Sequence, residues 1–193
     1  MQKDIVLGGV GGQGILTIAA TIGTAAVNKG LFLKQSEVHG MSQRGGDVMS
    51  NLRLSSNEIF SDLIPEGKAD IVIGVEPMEA LRHVKMLRKD GWLITNEVPF
   101  KNIPNYPEME GVLEELKKFP KHVILNADQI AKDLGSLKAA NMVILGAAIP
   151  FIGLELSDFE SALKIIFGRK GDDIVNLNID ALKAGMKETE KFL

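Results

Sequence analysis

The sequence predicts an α/β fold, a three-layer α/β/α sandwich built on a mostly parallel, Rossmann-like sheet with one antiparallel hairpin. Three observations carry that expectation. Apolar runs of strand length alternate with longer runs at helical spacing. The first strand feeds directly into a glycine-rich turn and a helix. One later run alternates apolar and polar residues, as a half-buried antiparallel strand does.

Ile5-Val6-Leu7 reads as the first buried strand, and Ile15 to Lys29 as a helix closed by Gly30 at its C′ position. Thr17, Thr21, Thr24 and Asn28 give that helix a polar stripe. Leu31 to Gln35 is the second strand, and the polar segment Ser36 to Gly46 after it follows neither apolar period, so a loop is expected there. Val48, Leu52 and Leu54 alternate with Met49, Asn51 and Arg53; a turn at Ser55-Ser56-Asn57-Glu58 would return the chain into a partner strand at Ile59-Phe60.

Ile71 to Val75 is nearly all apolar, as a central strand should be. Pro77 opens a helix in which Met78, Leu81, Val84 and Leu87 recur every three residues, and Gly91 is expected to end it before a strand at Trp92 to Thr95. A loop with Pro99, Pro104 and Pro107 leads to a short amphipathic helix through Val112, Leu113 and Leu116. Val123-Ile124-Leu125 is the last strand. The remainder is helical, with Ser157 and Glu160 proposed as a capping box and Gly168 as a stop. Without repeats, low-complexity segments or linkers, residues 1–193 are expected to form a single domain.

Composition narrows the function. A formal net charge of -3 gives no electrostatic reason to expect nucleic acid or an anionic membrane as a partner. Aromatic residues make up 5% of the chain, too few for base-stacking platforms. The chain has no cysteine, which removes disulfides, thiolate zinc sites, cysteine nucleophiles and cysteine-held iron-sulfur clusters. Met142 to Leu154 is shorter than the roughly 20 residues of a spanning helix and is interrupted by Gly146, Pro150 and Gly153. The expected location is cytoplasmic.

Two segments carry candidate chemistry. Gly8-Gly9-Val10-Gly11-Gly12-Gln13-Gly14 holds the G-x-G-x-x-G spacing at Gly9, Gly11 and Gly14, where free amides and the helix dipole attract an anion. The same glycines would also let the first helix cross tightly over the sheet, or present a turn to a partner subunit. Gln13 is read as capping the turn. The second segment holds Ser36, Glu37, His39, Ser42, Gln43, Arg44, Gly45 and Gly46. Arg44 beside two glycines suits bidentate binding of a phosphate or carboxylate, or a salt bridge to Glu37 that fixes the loop. Glu37 also stands roughly where a ribose-binding acid of a dinucleotide site is expected. His39 could act as an acid or base, or form a loop or intersubunit hydrogen bond. Ser42 has no nucleophile elbow.

His83, beside Arg82 and Lys85, and His122, after Lys121, are expected to be solvated. The three histidines show no metal-ligand spacing, and no metal is assigned. The Lys117-Lys118 and Lys187 to Lys191 clusters interleave with glutamates as solvated helix faces.

Taken together, GGVGGQG, SEVHGMSQRGG about twenty residues later and a following strand with Arg53 resemble the gamma-type subunit of the 2-oxoacid:ferredoxin oxidoreductases. Residues 39 to 46 are most similar to the beta subunit of the indolepyruvate branch; the pyruvate and 2-oxoglutarate branches more usually carry Gly-Pro-Glu-x-Arg-Gly-Gly. Asn141, Leu145-Gly146-Ala147, Asn176 and Ala184-Gly185 extend the resemblance along the chain.

That resemblance implies a subunit of a heteromeric oxidoreductase in which a large partner bears thiamine diphosphate, Mg and iron-sulfur clusters. Coenzyme A takes the acyl group and ferredoxin the electrons. It also implies that this chain binds none of these cofactors alone, packs against the thiamine-bearing subunit with a role open to it in admitting coenzyme A, and has no residue assigned to catalysis. Gly171-Asp172-Asp173 departs from the thiamine signature. Three readings stay open: this subunit in the aryl-pyruvate or the pyruvate or 2-oxoglutarate branch, a stand-alone NAD(P)- or flavin-binding enzyme, and a purely structural scaffold.

Overall fold

The computed structural model of the protein describes residues 1–40, 45–101 and 103–192. Six strands form one sheet in the order β2-β3-β1-β4-β5-β6, with β1 at Gln2–Val10, β2 at Phe32–His39, β3 at Asp47–Ser55, β4 at Ala69–Gly74, β5 at Leu87–Asn96 and β6 at His122–Leu125. The ladder from β1 through β4 and β5 to β6 is parallel, whereas β3 runs antiparallel to both β1 and β2. The helices are α1 at Ile15–Asn28, α2 at Pro77–His83, α3 at Met109–Lys117, α4 at Ala127–Asp133, α5 at Ala140–Ile152, α6 at Leu156–Phe167 and α7 at Asp172–Lys187.

Alternation along the strands divides the core in two. Ile5, Leu7, Ile71, Ile73 and Ile94 point into the larger half with α1 and α4 to α7, while Val6, Val72 and Leu93 meet Ala80 of α2 and Val112 and Leu116 of α3. In α5 ten of 13 residues are buried, because it lies between the sheet and α7 and is apolar on every side. Gly146 and Gly185 set how close those helices come. A Cβ on Gly146 would fall 2.1 Å from the Leu182 carbonyl oxygen, and one on Gly185 would fall 1.9 Å from that of Val143.

The structure corrects four expectations. The hairpin pairs β2 with β3, so the polar segment is its connection, and Ser36 to His39 belong to the strand. Ile59-Phe60 forms no strand, and Phe60 is 89% exposed. The helix after Pro77 ends at His83, and a 3-10 turn at Val84–Met86 leads into β5, so Gly91 sits inside a strand. There a Cβ would come within 2.9 Å of the Asp70 carbonyl oxygen, where the β4–β5 register shifts; the glycine marks an irregularity in the ladder. Finally, the capping box of α6 is Glu155 with Asp158. Asp158 also receives Lys29 Nζ at 3.0 Å, which ties α6 to the end of α1.

Candidate functional site

The two polar motifs meet at the carboxyl end of β1. Gly12 and Gly14 take φ of 104° and 82°, a region L side chains rarely adopt, and so turn the chain from β1 into α1. Gln13 closes the turn, as expected: Val10 N donates to its Oε1 at 2.8 Å and Gln13 N donates to Val10 O at 3.1 Å. Gly9 brings α1 close, since a Cβ there would lie 2.8 Å from Ile15 Cδ1. Gly14 precedes a helix with no side-chain cap and no acidic residue in its first turn, and Asn141 Nδ2 at the start of α5 donates to Gly14 O at 3.3 Å.

The ends of the polar segment are held by main-chain bonds. Gly40 N donates to Asp47 O and Gly11 N to Gly46 O, each at 2.9 Å, and Gly45 N reaches Gly11 O at 3.4 Å. Gly11, Gly45 and Gly46 therefore prolong the β1–β3 ladder, and the glycine turn and the hairpin connection lie side by side. Met41, Ser42, Gln43 and Arg44 lie outside the described residues.

The strand residues of the motif divide between the two faces. Glu37 and His39 lie on the α1 side, where the Glu37 carboxylate pairs with His39 Nε2. Ser36 lies on the opposite face, accepting from Asn51 Nδ2 and donating to Asp62 O, both at 3.4 Å. Because β3 stands between β1 and β2, Glu37 is two strand spacings, about 9–10 Å, from β1 rather than one. A ribose carried by the glycine turn is thus beyond the strand tip where the dinucleotide pattern places its acid.

A cleft of about 780 Å³ opens along the carboxyl ends of β1, β4 and β5 and includes Gly12, Gln13, Gly14, Asn96, Lys138 and Lys170 on its wall. It lies at the switch point between β1 and β4, where open α/β sheets place ligands. The uncapped α1 terminus and the two lysines make this end of the cleft receptive to an anion. Asn96 is fixed by two bonds, donating to Asp128 Oδ1 at 2.8 Å and accepting from Ala127 N at 3.1 Å.

On the opposite face of the same sheet end the structure assembles a group that sequence reasoning missed. His83 is 5% exposed, contrary to expectation, and its Nε2 lies 3.3 Å from Asp47 Oδ1. One atom each of Asp47, Glu79 and His83 lie within 4.8 Å of one another. Glu79 is buried, takes Arg82 Nε on Oε2 at 2.9 Å, and has its carboxyl raised to about 7 by burial and by the nearby Asp47 carboxylate. Burial lowers the His83 imidazole, with Asp47 acting in the opposite direction. The Glu79-to-His83 spacing of four placed both on one helix face. Nothing in the local sequence pointed to Asp47.

The α2 terminus beside this group is secured by Glu76. Its carboxylate accepts from Glu79 N at 2.8 Å, from Phe100 N at 3.3 Å and from the Tyr106 hydroxyl. Burial and that carboxylate raise the Tyr106 phenol above its ordinary range.

The pyruvate ferredoxin/flavodoxin oxidoreductase profile matches residues 4–188. The chain belongs to that family. It is 39% identical to indolepyruvate oxidoreductase subunit IorB of Archaeoglobus fulgidus, over 97% of this chain and 96% of that protein. It is 30% identical to the pyruvate/ketoisovalerate oxidoreductases common subunit gamma of Pyrococcus furiosus, over 95% of each. The fold matches a 2-oxoglutarate:ferredoxin oxidoreductase from Magnetococcus marinus, solved with 2-oxoglutarate, coenzyme A and succinyl-CoA bound, with a TM-score of 0.76 at 20% identity. That match covers 100% of this chain and 31% of the Magnetococcus polypeptide. The Archaeoglobus and Pyrococcus relatives are each named as subunits of oxidoreductases, and this chain has no cysteine with which to hold an iron-sulfur cluster itself. No helix among the described residues is long and apolar enough to cross a membrane.

Proposed function

We propose that this chain is the beta subunit of an indolepyruvate-type, aryl 2-oxo acid:ferredoxin oxidoreductase, acting in the CoA-dependent oxidative decarboxylation of 2-oxo acids. The observation that carries this reading is near full-length identity of 39% to an IorB subunit, against 30% to a pyruvate/ketoisovalerate gamma subunit. In this reading the large partner holds thiamine diphosphate with Mg and the iron-sulfur clusters, and passes electrons to ferredoxin in the cytoplasm. The present chain, as one domain, presents its glycine turn and hairpin connection to that partner.

Coenzyme A fits the cleft in chemical terms. The uncapped α1 terminus, Lys138 and Lys170 offer positive potential to its phosphates, and the apolar wall suits the rest of the molecule. Arg44 directly precedes Gly45, whose main chain adjoins the glycine turn, and so is the residue of that segment to test for coenzyme A contact.

Co-expression with the cysteine-rich large subunit tests the assignment. Acyl-CoA formation from indolepyruvate, phenylpyruvate, pyruvate and 2-oxoglutarate should require both chains and favour the aryl substrates. Equal turnover without this chain contradicts the subunit reading, and preference for pyruvate moves it to the other branch. Arg44→Ala in the assembled complex separates the roles of the connection: a raised KM for coenzyme A supports ligand contact, whereas weakened assembly with unchanged KM supports a scaffold.

A further inference from the structure

The extra glycine of the turn and the misjudged histidine have one explanation. Gly8 lies outside the G-x-G-x-x-G spacing, yet a Cβ there would sit 2.6 Å from His83 Cδ2. The missing side chain lets the imidazole lie against β1, with Nε2 directed at Asp47. This makes a built recess with a floor of bare main chain, one wall from α2 and a rim at the root of the hairpin connection.

We propose that Asp47, Glu79 and His83 form a binding site for a single divalent cation of the zinc class, closed on the solvent side by water or by a partner group. The donor set, one imidazole and two carboxylates, is one that zinc and manganese accept. Two ligands about 2.0–2.2 Å from a tetrahedral ion stand about 3.4 Å apart, close to the 3.3 Å between His83 Nε2 and Asp47 Oδ1. The Glu79 oxygen lies within the same 4.8 Å group.

Local charge is consistent with this assignment. The Asp47 and Glu79 carboxylates repel one another, which is part of why the Glu79 carboxyl is raised, and a cation between them relieves that repulsion. Access also differs among the ligands: the Asp47 side chain is 41% exposed and that of His83 is 7% exposed. An ion can therefore enter past Asp47 while the imidazole stays fixed by packing. Bound there, it would cross-link α2 to the residue that follows Gly45-Gly46 and hold one end of the connection in place. The site lies on the opposite sheet face from the anion-receptive cleft and does not depend on the assembly proposed above.

The test uses the full-length, tag-free chain after EDTA treatment, titrated calorimetrically with ZnCl2, with Co2+ absorption as a second readout. The expected result is one ion per chain, with visible Co2+ bands of a nitrogen- and oxygen-ligated site. Asp47→Asn and His83→Gln should each weaken binding at least about tenfold, and His122→Gln should leave it unchanged. Asp47 is exposed enough that its variant will fold, so the outcome does not depend on the buried position. Absence of binding, or binding that Asp47→Asn and His83→Gln leave intact, overturns the proposal and leaves a group held together by a shared proton.

Discussion

Glu79 joins local packing to pH. Its carboxyl is raised from 4.5 to about 7, so between those values the unfolded chain ionises while the folded chain keeps the proton. Stability contributed by the protonated form is complete below about pH 4.5 and falls as pH rises to about 7, by roughly 3 kcal/mol at most. His83, lowered by burial, has the opposite slope: its contribution grows as pH climbs toward 6.5. Urea denaturation of the EDTA-treated chain at pH 5 and pH 8 should show the Glu79→Gln variant gaining on the wild type at the higher pH. Parallel profiles would contradict the assignment. At Gly8, replacement by alanine should cost about 1–3 kcal/mol, because a buried ring has to move; an unchanged urea midpoint would mean that the imidazole swings aside freely.

Among the elements, the α5–α7 crossing gives the sharpest contrast. Gly185→Ala places a methyl group 1.9 Å from a main-chain oxygen, so the helices have to part, and a loss of about 3 kcal/mol or more is expected in guanidinium melts. Gly111→Ala on exposed α3 meets nothing within 4 Å and should gain about 0.5–1 kcal/mol. A destabilised Gly111 variant would mean that the α3 surface is engaged. Local pattern revealed the elements that rely on local signals: the first helix, the parallel strands and the amphipathic α3. It failed where a long-range partner decides the outcome. Ile59-Phe60 has strand propensity but no free ladder, because β3 already pairs on both edges. The apolar period through Leu87 continued a helix on paper, yet pairing beside β4 draws that residue into β5.

For the molecule as a whole, hydrogen exchange should follow the layering. Amides of β1, β4 and α5, buried on all sides, should exchange only through global opening, while those of α3 and the edge strand β2 exchange at least about tenfold faster. Equal protection throughout would contradict a core centred on α5. The candidate site was legible in proportion to its compactness in sequence. The glycine turn, Gln13 and the polar segment were visible because each is contiguous, whereas the adjacency of Gly11 and Gly45-Gly46 comes from the fold. The Asp47–Glu79–His83 group was invisible because the antiparallel insertion of β3 beside β1 brings its members together, and no periodicity encodes that insertion.

The clamp on the hairpin connection has a consequence for how such a chain can diversify. The bonds at its two ends join main-chain atoms of Gly11, Gly40, Gly45, Gly46 and Asp47, so a change of the Asp47 side chain leaves those bonds in place. A chain of this kind can vary what it displays at the ends of the connection while the fixture itself is inherited through backbone shape, with Gly45 at a φ of 80° its least replaceable member.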